Sequence, residues 1–179
     1  MTDYGLLAKQ IVSLAEVDAH WLPVLSNAAA LLWDALDDIN WAGFYLVDLA
    51  TVTGAGLDAG SEPGAGPSAQ NPSAPELRLG PFQGKVACVR IPFGRGVCGT
   101  AAATKTSQLV ENVHQFPGHI ACDSASNSEV VVPIFKDGQV VGVLDIDSPN
   151  VARFTQEDLS GLEQVVKALE SCTNFSAFC

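Results

Sequence analysis

Basic residues are scarce in this chain. Nine Lys and Arg stand against twenty Asp and Glu, a formal net charge of −11 over 179 residues. Nucleic-acid affinity comes largely from cationic neutralisation of phosphates, so no nucleic-acid partner is expected. Long apolar runs are lacking too. The start, Met1 to Gln10, reads MTDYGLLAKQ, with an early acid and no apolar stretch of leader length. No run is long enough to cross a bilayer, which predicts a cytoplasmic protein without a membrane partner. No Cys-x-x-Cys pair occurs among the five cysteines, and His114 and His119 are five apart in a polar segment. Neither spacing matches the tight ligand pairs of a zinc site, so no metal is expected. The turn Phe93 to Gly99 lacks the lysine and spacing of a phosphate-binding loop, and no bound cofactor is expected. Five is also an odd number of thiols. In a reducing compartment that excludes a complete structural disulfide framework and favours catalytic cysteines.

What is present suits one folded unit. Hydrophobic residues make up 47% of the chain and charged residues 16%, the balance of a globular protein. Residues 1–170 read as one domain and 171–179 as a tail. Between 53 and 75, 17 of 23 residues are Gly, Ala, Pro or Ser. Such a stretch cannot bury enough apolar surface to offset its ordering entropy, and it reads as a flexible insertion between two strands.

Leu22, Leu25, Ala29, Leu32 and Leu36 recur at spacings of 3 and 4, one face of a helix over about Ala19 to Asp38. Trp41 to Asp48 reads as a buried strand, Glu76 to Leu79 as a short one. Val86 to Ile91 reads as another, with Val86, Cys88 and Arg90 on one face. Val97 to Thr104 predicts a short helix with Cys98 near its start, and Gln108 to Val113 a further strand. Asp137-Gly138 between two β-branched runs, Ser128 to Lys136 and Gln139 to Ser148, predicts a two-residue type I′ hairpin. Thr155 and Asp158 can form a capping box before a helix whose stripe is Leu159, Leu162, Val165, Val166 and Leu169. The order predicts an α+β fold with terminal helices on one face of a mostly antiparallel sheet. The other face is left to carry loops and a pocket.

Asp145 and Asp147 are two apart on a strand and share a face. Carboxylates are rarely buried unless paired, so this face suggests a pocket wall. Strict hairpin register pairs Val130 with Asp145 and turns Glu129 to the opposite face. A bulge, marked by Pro133, would restore Glu129 to the acidic side. Three converging acids would raise at least one pKa and suit an ammonium ligand or a protonated general acid. Cys98 at a helix start is positioned for thiolate stabilisation. Cys122 lies in a loop beside Asp123, and Cys88 on a strand beside Arg90. Cys172 and Cys179 lie outside this core.

Several runs resemble the free methionine-(R)-sulfoxide reductases, which are GAF-domain enzymes. They are Ala87 to Ala102 (ACVRIPFGRGVCGTAA), His119 to Asp123, Ser128 to Pro133, Gly142 to Pro149, and Asn40 to Tyr45. The resemblance implies a six-stranded antiparallel sheet flanked by helices, often as a homodimer. It implies the free amino acid methionine R-sulfoxide as substrate. By the same carry-over Cys122 is the nucleophile, with Cys88 and Cys98 both open as its resolving partner. Glu129, Asp145 and Asp147 would form the polar pocket, with Glu129 or an Asp as proton donor. Trp41 and Tyr45 would pack around the substrate methyl group. Thioredoxin, itself reduced by NADPH through thioredoxin reductase, would be the external reductant. The alternatives are a non-catalytic GAF module binding a small ligand, and a thiol redox sensor acting through partners.

Overall fold

A computed structural model describes residues 2–48, 75–120 and 122–175. The insertion expected at 53–75 lies outside the described residues except for Pro75, as does Cys179.

The N-terminal segment forms α1 (Tyr4–Ala15), capped by the Asp3 side chain on the Leu6 N–H. Helix α2 spans Trp21–Ala35, with His20 as its N-cap. It is shorter than the predicted Ala19 to Asp38, and Leu22 is exposed although Leu25, Ala29 and Leu32 are buried. Pro23 sits in the first turn, where its missing N–H costs no helical bond. Strand β1 (Trp41–Val47) is buried along its whole length. Strand β2 (Glu76–Gly84) is longer than expected, and β3 is only Arg90–Pro92. Cys88 is therefore not within a strand: it lies in the link before β3, where the Val89 carbonyl accepts from the Leu79 N–H at 3.0 Å. Helix α3 (Gly96–Thr104), strand β4 (Gln108–Val110) and a 3-10 turn (Val113–Gln115) follow.

The hairpin of β5 (Ser128–Lys136) and β6 (Gln139–Ser148) matches its predicted bounds. Asp137 and Gly138 have φ of 49° and 76°, the two left-handed residues that a type I′ turn demands. Helix α4 (Gln156–Cys172) opens with the predicted capping box between Thr155 and Asp158. It continues past residue 170, and Phe175 beyond it is buried, so the first residues of the expected tail belong to the packed body.

All strands pair antiparallel in the order β3-β2-β1-β6-β5-β4. One face, carrying Phe44, Leu46, Val132, Ile134, Leu144 and Ile146, packs against α1, α2 and α4. The other carries Tyr45, Val131 and Val143 and packs against Val97, Ala101 and Ala102 of α3. This is the expected α+β, GAF-like arrangement. No described helix is long and apolar enough to cross a membrane. Leu162 of α4 is fully buried in the helix-side core. Leu162→Ala should lower unfolding free energy by about 2–5 kcal/mol, read as a shift in urea midpoint at unchanged slope.

Candidate active site

The hairpin register decides where the acids point. The pairing runs Phe135 with Val140, then slips to Ile134 with Gly142. The slip leaves Val141 as an extra residue on β6, opposite the Ile134–Phe135 step, so the bulge lies one residue toward the turn from Pro133. Beyond it Val131 faces Asp145, Val130 faces Ile146, and Glu129 faces Asp147. The strict pairing of Val130 with Asp145 is thereby corrected, and Glu129 joins the acidic face. Val141 leaves that face and packs toward the helices. On the far side of β6, Gly43 pairs with Asp145 and Trp41 with Asp147.

These acids line a cavity of about 30 Å³ together with Cys98, Cys122, His119, Asp123, Ser126 and the start of α3. That volume holds about two waters. Cys122 is bonded to Cys88, with Cα atoms 5.3 Å apart. Only Cys122 of this pair lines the cavity. Cys98 is a buried free thiol that donates to Glu129 Oε1 at 3.8 Å.

Trp41 and Tyr45 share the acidic face yet do not line the cavity. Trp41 lies flat on Phe82 with ring centroids 5.3 Å apart, stacks on Tyr45 at 5.7 Å, and donates its indole N–H to the Lys85 carbonyl. Both rings are buried. The space for them exists because residue 43 is glycine: a Cβ there would come within 2.3 Å of Phe82 Cβ. In this disulfide form they are the wall behind the acids.

Electrostatics correct a further expectation. The helix start of α3 does not make Cys98 a thiolate. Burial pushes the thiol well above its ordinary range, and the charges of Asp145 and Glu129 push it the same way. The helix-end field is weaker than this desolvation. Burial also raises Glu129 well above the usual carboxylate range, with the Asp145 and Asp147 charges adding to it. Asp147 is raised by burial and then by Asp145 and Asp123. Asp145 is pushed up to about 6 by burial, opposed by hydrogen bonds with Cys98 and Glu129. One of its oxygens, Oδ1, is buried without a hydrogen-bond partner among the described residues.

The loop carrying Cys122 is pinned by residues that sequence patterns did not single out for a role. Asn40 donates to Asp123 Oδ2 at 3.1 Å and to Ser126 Oγ at 3.0 Å. Asp123 Oδ1 accepts from the Ala125 N–H, and Lys85 approaches Asp123 at 3.8 Å. The Asn40 backbone N–H hydrogen-bonds the Asp147 carbonyl. The signal available in sequence was the dense run of short polar residues from Asp123 to Ser128, a composition favouring side-chain-to-backbone turns.

The raised pKa of Asp145 has a stability consequence. A group that holds its proton more tightly when folded stabilises the fold below its unfolded pKa and loses that contribution as pH rises through the folded value. The loss from Asp145 should fall between its ordinary 3.8 and about 6. Asp145→Asn should therefore flatten the decline in thermal midpoint across that window at fixed ionic strength.

A family model described as GAF domain matches residues 21–172. A free methionine-R-sulfoxide reductase of Escherichia coli is 48% identical over 167 residues, 93% of this chain and 86% of that protein. The chain belongs to the free methionine-R-sulfoxide reductase family of GAF domains. Solved structures of this family superpose closely. The fRMsr of Staphylococcus aureus in its reduced form gives a TM-score of 0.79 at 49% identity, covering 97% of each chain. The Neisseria meningitidis enzyme in complex with its substrate also gives 0.79, at 41% identity over 97% of this chain and 89% of that one.

Proposed function

We propose that this protein reduces free L-methionine (R)-S-oxide to methionine by cysteine chemistry at Cys122. The observation that carries the reading is the placement of one sulfur of a disulfide in a buried acidic cavity that holds no Lys or Arg. In the dithiol form the Cys122 thiolate attacks the sulfoxide sulfur. Glu129, whose pKa burial raises well above the usual carboxylate range, gives its proton to the sulfoxide oxygen. Collapse moves that oxygen to Cys122 as a sulfenic acid and releases methionine. The Cys88 thiol then displaces water from the sulfenic acid and forms the disulfide. Cys88 is favoured over Cys98 for this step, because Cys98 remains a thiol held against Glu129.

Asp145 and Asp147 receive the α-ammonium of the substrate, for which the unpartnered Asp145 Oδ1 is a ready acceptor. A methionine sulfoxide within a peptide has no such ammonium, which gives the preference for the free amino acid. First-turn N–H groups of α3 hold the carboxylate, since Gly96 and Val97 line the cavity and Arg95 supplies no side-chain cap. Trp41 and Tyr45 reach the substrate methyl group once the disulfide opens. The dithiol is restored by exchange with thioredoxin, in the cytoplasm, at the expense of NADPH. Leu6 and Leu14 on the N-terminal helix and Val17 just past its end are exposed and are the apolar surface a homodimer would cover. A nucleotide-sensing role is disfavoured because the buried acids repel phosphate.

The test of recycling is a coupled assay with thioredoxin, thioredoxin reductase and NADPH. NADPH should be consumed on adding free methionine R-sulfoxide. Methionine formation with dithiothreitol but none with thioredoxin would remove thioredoxin from the account and leave the rest.

A further inference from the structure

Cys98 is a thiol inside the cavity that the redox cycle leaves unused. It is buried and lies 3.8 Å from Glu129 Oε1. Beside it, Asp145 is 5% exposed and its Oδ1 lacks a partner. One donor atom from each of Cys98, Glu129 and Asp145 lies within 4.8 Å of the others. The substrate ammonium accounts for the carboxylates. It does not account for the sulfur, which is a weak hydrogen-bond acceptor. Sulfur with two carboxylate oxygens is instead a donor set for a borderline-soft divalent metal.

We propose that Cys98, Glu129 and Asp145 form a three-ligand site for a thiophilic divalent cation of the Zn²⁺ class, which competes with the substrate ammonium and inhibits the enzyme. The competition rests on the reductase reading; the binding does not. Tetrahedral zinc with a sulfur at about 2.3 Å and oxygens at about 2.0–2.2 Å needs its ligands roughly 3.3–3.8 Å apart. The three donor atoms lie within 4.8 Å of one another, so reaching that spacing asks each pair to close by at most about 1.5 Å. The three donors stand on α3, β5 and β6, so separate packed elements fix them. The fourth position opens on the cavity of about 30 Å³, which takes a water. Among the described residues no lysine or arginine lines that cavity, and Lys85 reaches only Asp123 at its edge; a dication would neutralise the buried Glu129 and Asp145. As the ion enters, the Cys98 thiol proton and any carboxyl proton leave to solvent, and no oxidant or reductant is involved. The ligands are far apart in sequence, Cys98 and Glu129 by 31 positions, which is why no ligand-spacing motif reveals them.

Cobalt(II) is the probe. The disulfide form, freed of metal by a chelator that is then removed, is titrated with Co²⁺ while the near-ultraviolet sulfur-to-cobalt absorption is followed. One equivalent should produce the band, and Zn²⁺ should displace it. Cys98→Ser should abolish the band, and Cys172→Ser should keep it. Asp145→Asn, confirmed as folded by circular dichroism, should weaken cobalt binding by about tenfold or more. In the Cys122→Ser chain, which cannot turn over, free methionine R-sulfoxide should displace the cobalt. No band in the parent chain, a band surviving Cys98→Ser, or an affinity unchanged by Asp145→Asn overturns the site. A band that the sulfoxide leaves intact overturns the competition. Turnover measured with chelator present separates the two readings: turnover without a band rejects the metal site alone, and a band without turnover rejects the reductase reading alone.

Discussion

Cys122→Ser abolishes methionine release even in a single turnover, with a loss on the order of 10³ to 10⁶ in rate. The serine hydroxyl keeps its proton at neutral pH, and the cavity offers carboxyl groups already raised in pKa and a histidine lowered by burial. None is placed as a strong base, so the alkoxide does not form. The fold should survive, because Cys122 is only half-buried and its loop is pinned by Asn40, Asp123 and Ser126. The contrast is Cys88→Ser. That variant should release one methionine per chain and then stop, with Cys122 trapped as a sulfenic acid that a dimedone-type reagent labels. Rapid-quench measurement of methionine in both variants checks the pair. Full release from Cys122→Ser would move the nucleophile elsewhere.

Glu129→Gln is the second large effect. The amide keeps the shape and an oxygen to accept from Cys98, but it has no proton to give. Losing a positioned general acid costs about 10² to 10⁴ in rate. The pH profile carries a sharper signature. Burial and the neighbouring carboxylates raise Glu129, so the parent rate should fall as pH rises and the cluster loses its proton. The three acids interact strongly, and the fall belongs to the cluster as a unit. In Glu129→Gln that alkaline fall should disappear while the overall rate stays low. Stopped-flow single-turnover rates across pH read both features. A parent-like alkaline fall in the variant would assign the proton to one of the aspartates, Asp145 or Asp147.

Much of this was legible in the sequence where local chemistry decides. The Asp137-Gly138 turn and the Thr155 and Asp158 capping box need only nearby residues, and both stand where the pattern put them. What was illegible depended on distant neighbours. The bulge at Val141 sits beside the close approach of Gly142 to β1, where a Cβ would come within 2.6 Å of the Tyr45 carbonyl. A period-two pattern cannot register an extra residue set by that contact. Alternation from Val86 to Ile91 looked like a strand, but strand pairing stops short of Cys88, which the disulfide holds in the link. Cys98 had a local reason to be a thiolate, its helix start, and burial, reinforced by carboxyl groups from β6 and β5, overrides it. Which thiol pairs with Cys122 is likewise a property of the fold, and the resemblance left it open.

The central claim is reduction of one epimer of one free amino acid. Reduced protein, freed of excess thiol, is mixed with racemic free methionine sulfoxide and, separately, with the same sulfoxide inside a blocked peptide. Chiral chromatography follows each epimer. The account predicts about one methionine per chain from the free R epimer, with the S epimer and the peptide left intact. Equal consumption of R and S, or release from the peptide at the free rate, would contradict it.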